Sequence, residues 1–155
     1  MEAPCQPTDP ADASKAASEL TSLPSLEDTR AQLAKTIEQV GQQISSIAPE
    51  VRWDWRLEDS HTGCMPPFEQ SQGQETLLAK YVSDVPIAEQ YWQQTYEVAM
   101  RAANHLGLTE VTTFKNALGD HDVQFSGDSG MGLRLGSQKA ALLTGHTGCR
   151  LALPR

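Results

Sequence analysis

The chain has 155 residues, 39% of them hydrophobic, which is enough for a single core of ordinary size. Its 20 acidic side chains outnumber its 12 basic ones, so it lacks the basic patch that releases counterions from nucleic acid or grips an anionic membrane surface. No apolar run reaches the length of about 20 residues that spans a bilayer, and the N-terminus has neither the basic nor the apolar region of a signal peptide. The chain therefore reads either as cytosolic or as the mature part of an exported protein.

Residues 1–24 read as a flexible tether. Pro4, Pro7, Pro10 and Pro24 stand among Ala, Ser, Thr and Asp, and Leu20 and Leu23 are almost the only groups there to bury. Such a segment recovers little of its ordering entropy, so disorder or a partly helical leash is expected. Residues 25–155 read as one domain.

The first firm element is a helix capped by Ser25, with Asp28 in a capping-box position. Leu26, Leu33, Ile37, Val40, Ile44 and Ile47 recur at helical spacing, opposite Arg30, Lys35, Glu38 and Gln42, and Pro49 ends the run. Val51, Trp53, Trp55 and Leu57 then alternate with Arg52, Asp54, Arg56 and Glu58, which predicts a strand with one buried and one wet face. Gly63, Pro66, Pro67 and Gly73 mark residues 59–76 as loop.

A second helix is predicted from near Asp84–Pro86 through Trp92, Tyr96, Val98, Ala99, Ala102, Ala103 and Leu106, with Gly107 just past its end and His105 suited to the negative end of its dipole. Short strands follow at Val111–Lys115, Val123–Phe125, Leu133–Leu135 and Ala140–Thr144, and Gly136-Ser137 is placed to close a type II′ hairpin. The order helix, strand, helix, several strands predicts an α+β two-layer sandwich, with the helices on one face of a mainly antiparallel sheet of four to five strands.

His-Thr-Gly-Cys occurs twice, at His61–Cys64 and His146–Cys149. A disulfide between Cys64 and Cys149 would close a loop of about 85 residues, worth on the order of 4–5 kcal/mol. His61, Cys64, His146 and Cys149 are also the donor set of a tetrahedral zinc site, although neither half has the close cysteine pair that such sites use. Free thiols are the third alternative. Gly63 and Gly148, each just before its cysteine, fit the crowding that a crosslink brings. Cys5 is a stray thiol or a site of modification.

Two motifs are set aside. Gly127-Asp128-Ser129-Gly130 is like the nucleophile segment of chymotrypsin-type proteases, but the chain is too short for two barrels and lacks the histidine context, so a turn between strands is expected. Asp120-His121-Asp122 cannot point three side chains at one metal in extended backbone, and reads as a solvated turn leading into Val123, with His121 dispensable.

From about Val51 onward the chain resembles the LppA-like lipoproteins of mycobacteria. The resemblance rests on the tryptophan-bearing strand before Cys64, the segment His105-Leu106-Gly107-Leu108-Thr109, the pair Asp122-Val123, the run Gly132-Leu133-Arg134-Leu135-Gly136 and the closing Thr147-Gly148-Cys149. It implies a secreted precursor, a lipid on the first cysteine of the mature chain, a position on the outer face of the plasma membrane and a Cys64–Cys149 disulfide. Glu2-Ala3-Pro4-Cys5 departs from a lipobox, which wants Leu three places before the cysteine and a small residue next to it, so Cys5 is not assigned the lipid.

The family brings no catalytic residues, and no cofactor is expected. The leading reading is a non-enzymatic cell-envelope domain whose partner is an envelope protein, a glycolipid or a wall polymer. A second is a carrier or sensor holding a hydrophobic ligand between Trp53, Trp55, Trp92 and Tyr96. A third is a metal-dependent hydrolase using His61 and His146.

Overall fold

The structure is a computed structural model, and residues 7–153 are described. Cys5 lies outside them. The described residues form an α+β fold with an open antiparallel sheet and three helices.

The expected tether is folded over part of its length. Asp9 caps a helix, α1 (Pro10–Leu20), whose Ala13, Ala16 and Leu20 share one side and are buried. Small alanines hid this face, because a little burial on each, completed by Leu20, is enough to seat a short helix. Before α1, Thr8 donates to the Glu69 carboxylate and its carbonyl accepts from Gln70 Nε2 at 2.6 Å.

Helix α2 (Leu26–Ile47) is capped as expected, the Ser25 hydroxyl accepting from the Asp28 amide at 3.0 Å. Leu33, Ile37, Val40 and Ile44 are fully buried. Gly41 has a packing reason: a Cβ there would come within 2.6 Å of the Tyr81 ring.

The sheet has eight strands rather than four to five. Its first half is built of short pieces: β1 (Asp54–Arg56), β2 (Ser60–Gly63), β3 (Gln74–Leu77) and β4 (Lys80–Ser83). The expected loop over 59–76 is thus a β2–β3 hairpin joined by an irregular excursion. Strands this short, with β2 exposed throughout, carry too little alternation to be seen in a sequence. The expected Val51–Leu57 strand is cut to three residues, because Leu57 turns to a φ of +67° and leaves the buried set, 77% exposed.

Helix α3 (Glu89–His105) starts a little later than Asp84–Pro86 and ends just before Gly107, whose φ is +83°. The second half of the sheet is a regular meander of β5 (Glu110–Ala117), β6 (Asp120–Ser126), β7 (Gly132–Ser137) and β8 (Ala141–His146). Gly136 and Ser137 are not its turn: they pair with Leu142 and Ala141, and the chain reverses over residues 138–140. The turn expected at Gly127–Gly130 is present, Gly130 N–H donating to Gly127 O at 3.1 Å.

The strand order is β1-β4-β8-β7-β6-β5, with β3 bridging β2 to the end of β8. Val123, Phe125, Leu133, Leu135, Ala141 and Leu143 join the apolar stripe of α2 and Val98, Ala99 and Ala103 of α3 in one core. Strand β5 is a free edge, exposed along its whole length, with a register shift between Thr113 and Lys115. Arg134 is clamped by Asp122 at 2.8 and 2.6 Å and lies 4.5 Å from the centre of the Phe114 ring.

Candidate functional site

The two His-Thr-Gly-Cys segments are brought together, and their sulfurs are bonded to each other. Cys64, just after β2, and Cys149, after β8, form a disulfide with their Cα atoms 5.6 Å apart. This removes the zinc alternative, since bonded sulfurs are not thiolate ligands. His61 Nδ1 instead lies 2.9 Å from the Thr76 hydroxyl, while the His146 ring lies over Gly132. Gly148 is crowded as expected: its φ is +72° and a Cβ would come within 2.7 Å of the Gly130 carbonyl carbon. Gly63 has open space around it, so crowding does not account for that residue.

The crosslink sits in a knot of hydrogen bonds, three between main-chain groups and one from the Thr76 amide to the Thr147 hydroxyl. Gln74 and Arg150 exchange both backbone hydrogen bonds, and Thr76 and Thr147 are tied by two more, each of the four between 2.9 and 3.0 Å. Arg150 is fully buried, and its Nη1 donates to the carbonyls of Ser129 and Cys149 at 2.8 Å. Burial pushes its guanidinium below its ordinary pKa. No residue type in this stretch announces a buried arginine in advance.

The four aromatic residues expected to share a ligand pocket are split into two groups. Trp53 and Trp55 both pack on Tyr81, with ring centres 5.5 and 4.7 Å from its ring. Trp92 and Tyr96 belong to the core beside α3, where Trp92 stacks on His121 at 4.3 Å and Tyr96 packs on Phe125. Strand β1 lies at the far end of the strand order from β6, so the two groups line different parts of the fold.

His121 corrects a further expectation. It lies within β6, not in a solvated turn, and is buried with the Val123 and Phe125 side of that strand. Its Nε2 is 2.9 Å from Glu89 Oε1, which also accepts from the Gly119 amide at 2.6 Å. The Gly119 amide first, and the imidazole second, hold the Glu89 carboxyl below its usual range. The alternation Asp-His-Asp-Val-Gln-Phe carried the signal, because His121 shares the parity of Val123 and Phe125.

A concavity with both an aromatic wall and charged groups lies between α2 and the chain that leads from β1 into β2. It is about 610 Å³ and runs beside Arg30, Ala34 and Glu38, which follow one another at four-residue spacing on α2. Ala34 and Ala79, both buried, put only methyl groups at its base, while Trp55 and Leu57 supply apolar wall and rim. Arg30 Nε donates to Asp59 at 2.9 Å, and the other Asp59 oxygen accepts from the Ala79 amide at 2.8 Å. Burial works to raise the Asp59 carboxyl, but the Arg30 and Ala79 hydrogen bonds outweigh it and hold the group below its usual range. Sequence reading placed Arg30 and Glu38 opposite the apolar stripe of α2. Only the turn at Leu57 makes that side one wall of a groove.

The sequence profile of the family described as LppA, a lipoprotein confined to pathogenic Mycobacterium, matches residues 1–153. The chain belongs to the LppA family. The match extends well ahead of Val51, where the resemblance in the sequence begins, and takes in α1 and α2. The crystal structure of LppA from Mycobacterium tuberculosis has the same fold, with a TM-score of 0.70 at 14% identity over 93% of this chain and 92% of that one. A DUF4853 family protein from Actinomyces odontolyticus is more distant, with a TM-score of 0.56 at 9% identity over 88% of this chain and 74% of its own. No curated protein matches. This LppA-family chain is thus a lipoprotein of a family without an assigned activity, and that membership implies association with the cell envelope.

Proposed function

We propose that the protein is a non-enzymatic domain of the mycobacterial envelope, held by a lipid at its mature N-terminus on the outer face of the plasma membrane, where it binds an envelope protein or a glycolipid. The Cys64–Cys149 disulfide carries this reading, because such crosslinks persist in oxidising compartments and are rare in the cytosol. Membership of a lipoprotein family supports the anchor. The way Thr8 is fixed against Glu69 and Gln70 supports an orientation in which the chain leaves the fold toward its anchor beside the disulfide loop. The layered reading of the fold, with α2 and α3 on one face of the sheet, agrees with the shared core and leaves the Asp122–Arg134 side of the sheet toward water.

The test is to produce the full precursor in a mycobacterium with radiolabelled palmitate. Incorporated label, partition into detergent and digestion by protease added to intact cells are expected. An unlabelled protein that stays aqueous and is protected in intact cells would overturn the anchor and the address together.

A further inference from the structure

We propose that the groove between α2 and the β1–β2 connection is a binding site for an uncharged sugar ring of a glycan. This rests on the envelope-binding reading above and gives it a ligand chemistry.

Five observations converge. Tyr81 covers one side of the Trp55 indole, and the ring also lines the groove. An indole wall matches the C–H face of a pyranose, which is apolar although the ring's edge is polar. Around that wall stand Glu38, Glu58 and Asp59, all acceptors when ionised, and a sugar edge is rich in hydroxyl donors. Of the basic side chains lining it, Arg30 is already committed to Asp59 and the His61 ring is tied through Nδ1 to the Thr76 hydroxyl at 2.9 Å, so no unpaired guanidinium or ammonium waits for a phosphate, sulfate or carboxylate. Three carboxylates against one guanidinium also disfavour an acyl chain, which would strip water from charges without replacing their hydrogen bonds. The volume, about 610 Å³, is within the usual range for small-molecule sites.

The fifth observation is Leu57. Among the described residues it alone is a non-glycine with positive φ, and it holds this conformation while 77% exposed. Neither backbone preference nor burial favours a leucine there. A side chain kept at a rim against both preferences marks a contact made with something else. In this site it stands beyond Trp55 as a second apolar surface, so the ring would rest on Trp55 and meet Leu57 at its edge.

The experiment titrates the purified chain with short neutral gluco-, manno- and galacto-oligosaccharides, using sulfated and amine-bearing sugars as controls, by saturation-transfer NMR and tryptophan fluorescence. At least one neutral probe should bind saturably. Trp55→Ala should weaken it by about tenfold or more, and Leu57→Gly by a few-fold. Leu57→Gly keeps the fold, since glycine accepts the same φ, and so guards against a Trp55 variant that loses its packing on Tyr81. No saturable binding of a neutral probe at about 10 mM, tighter binding of the sulfated or amine-bearing sugars, or affinity unchanged in both variants would overturn the proposal. Failure here leaves the palmitate and protease results untouched. Shortened probe in the sample would instead remove the non-enzymatic reading while supporting the site.

Discussion

The two halves of the sheet hold together by different means. In β5–β8 the strands are six to eight residues long, joined by tight turns, and each of β6, β7 and β8 turns buried side chains into the core. In β1–β4 they are three or four residues long, and the hairpin of β2 and β3 is tied to the rest by a single pair with β8, the Gln74–Arg150 bridge, the two Thr76–Thr147 bonds and the disulfide. The aromatic cluster of Trp53, Trp55 and Tyr81 does there what a long alternating strand does elsewhere. Burial of a repeating pattern builds the one half. Individual crosslinks, side-chain bonds and a few rings assemble the other, and that half contains the groove.

Breaking the disulfide should separate the halves most sharply. The Cys64→Ser, Cys149→Ser double variant is expected to lose about 4–5 kcal/mol in denaturant titrations, given the 85-residue separation. Hydrogen exchange should show protection lost first over residues 60–77. Equal loss across β6 and β7 would mean that the halves are one cooperative unit.

His121→Ala probes the other half. It removes a buried ring stacked on Trp92 and its bond to Glu89, and should cost about 1–3 kcal/mol in thermal or chemical unfolding. A variant as stable as the parent would return His121 to the dispensable role that its sequence neighbours had indicated.

The smallest effect concerns Asp59, on the groove side. Its folded pKa lies below the unfolded value, so its contribution is present above the ordinary carboxylate pKa of about 3.9 and fades as pH falls through the folded value. Asp59→Asn should therefore be less stable than the parent by a constant amount near neutrality, with the slope there unaltered, and should lose less stability than the parent as pH falls below about 4. A change of slope between pH 6 and 8 instead would assign the titration to some other group.

The same division explains what could be read beforehand. The α2 stripe, the end of α3 and the four C-terminal strands were legible, because each is written in several residues that agree. The Cys64–Cys149 bond was one of three alternatives in the residues themselves, and the family resemblance implied it. Strands β2 and β3 were not legible. Ser60–Gly63 is polar and exposed, and its place is set by partners far along the chain. The docking of α1 was hidden by alanines, whose burial counts only once Leu20 has found its seat. The groove was invisible for a different reason: it depends on one backbone angle, at a leucine whose position in the alternation had assigned it to the core.

Strand β5 presents eight exposed residues along an open edge, with Val111 and Phe114 among them and the exposed Leu118 just beyond its end. Such an edge invites another chain to continue the ladder. The irregularity at Phe114 takes the flatness out of it midway, and Lys115 places a charge at the same spot. An edge that stayed flat would offer its unpaired amides and carbonyls to the same edge of a second copy. One extra residue in one strand breaks the template on which such a ladder would grow.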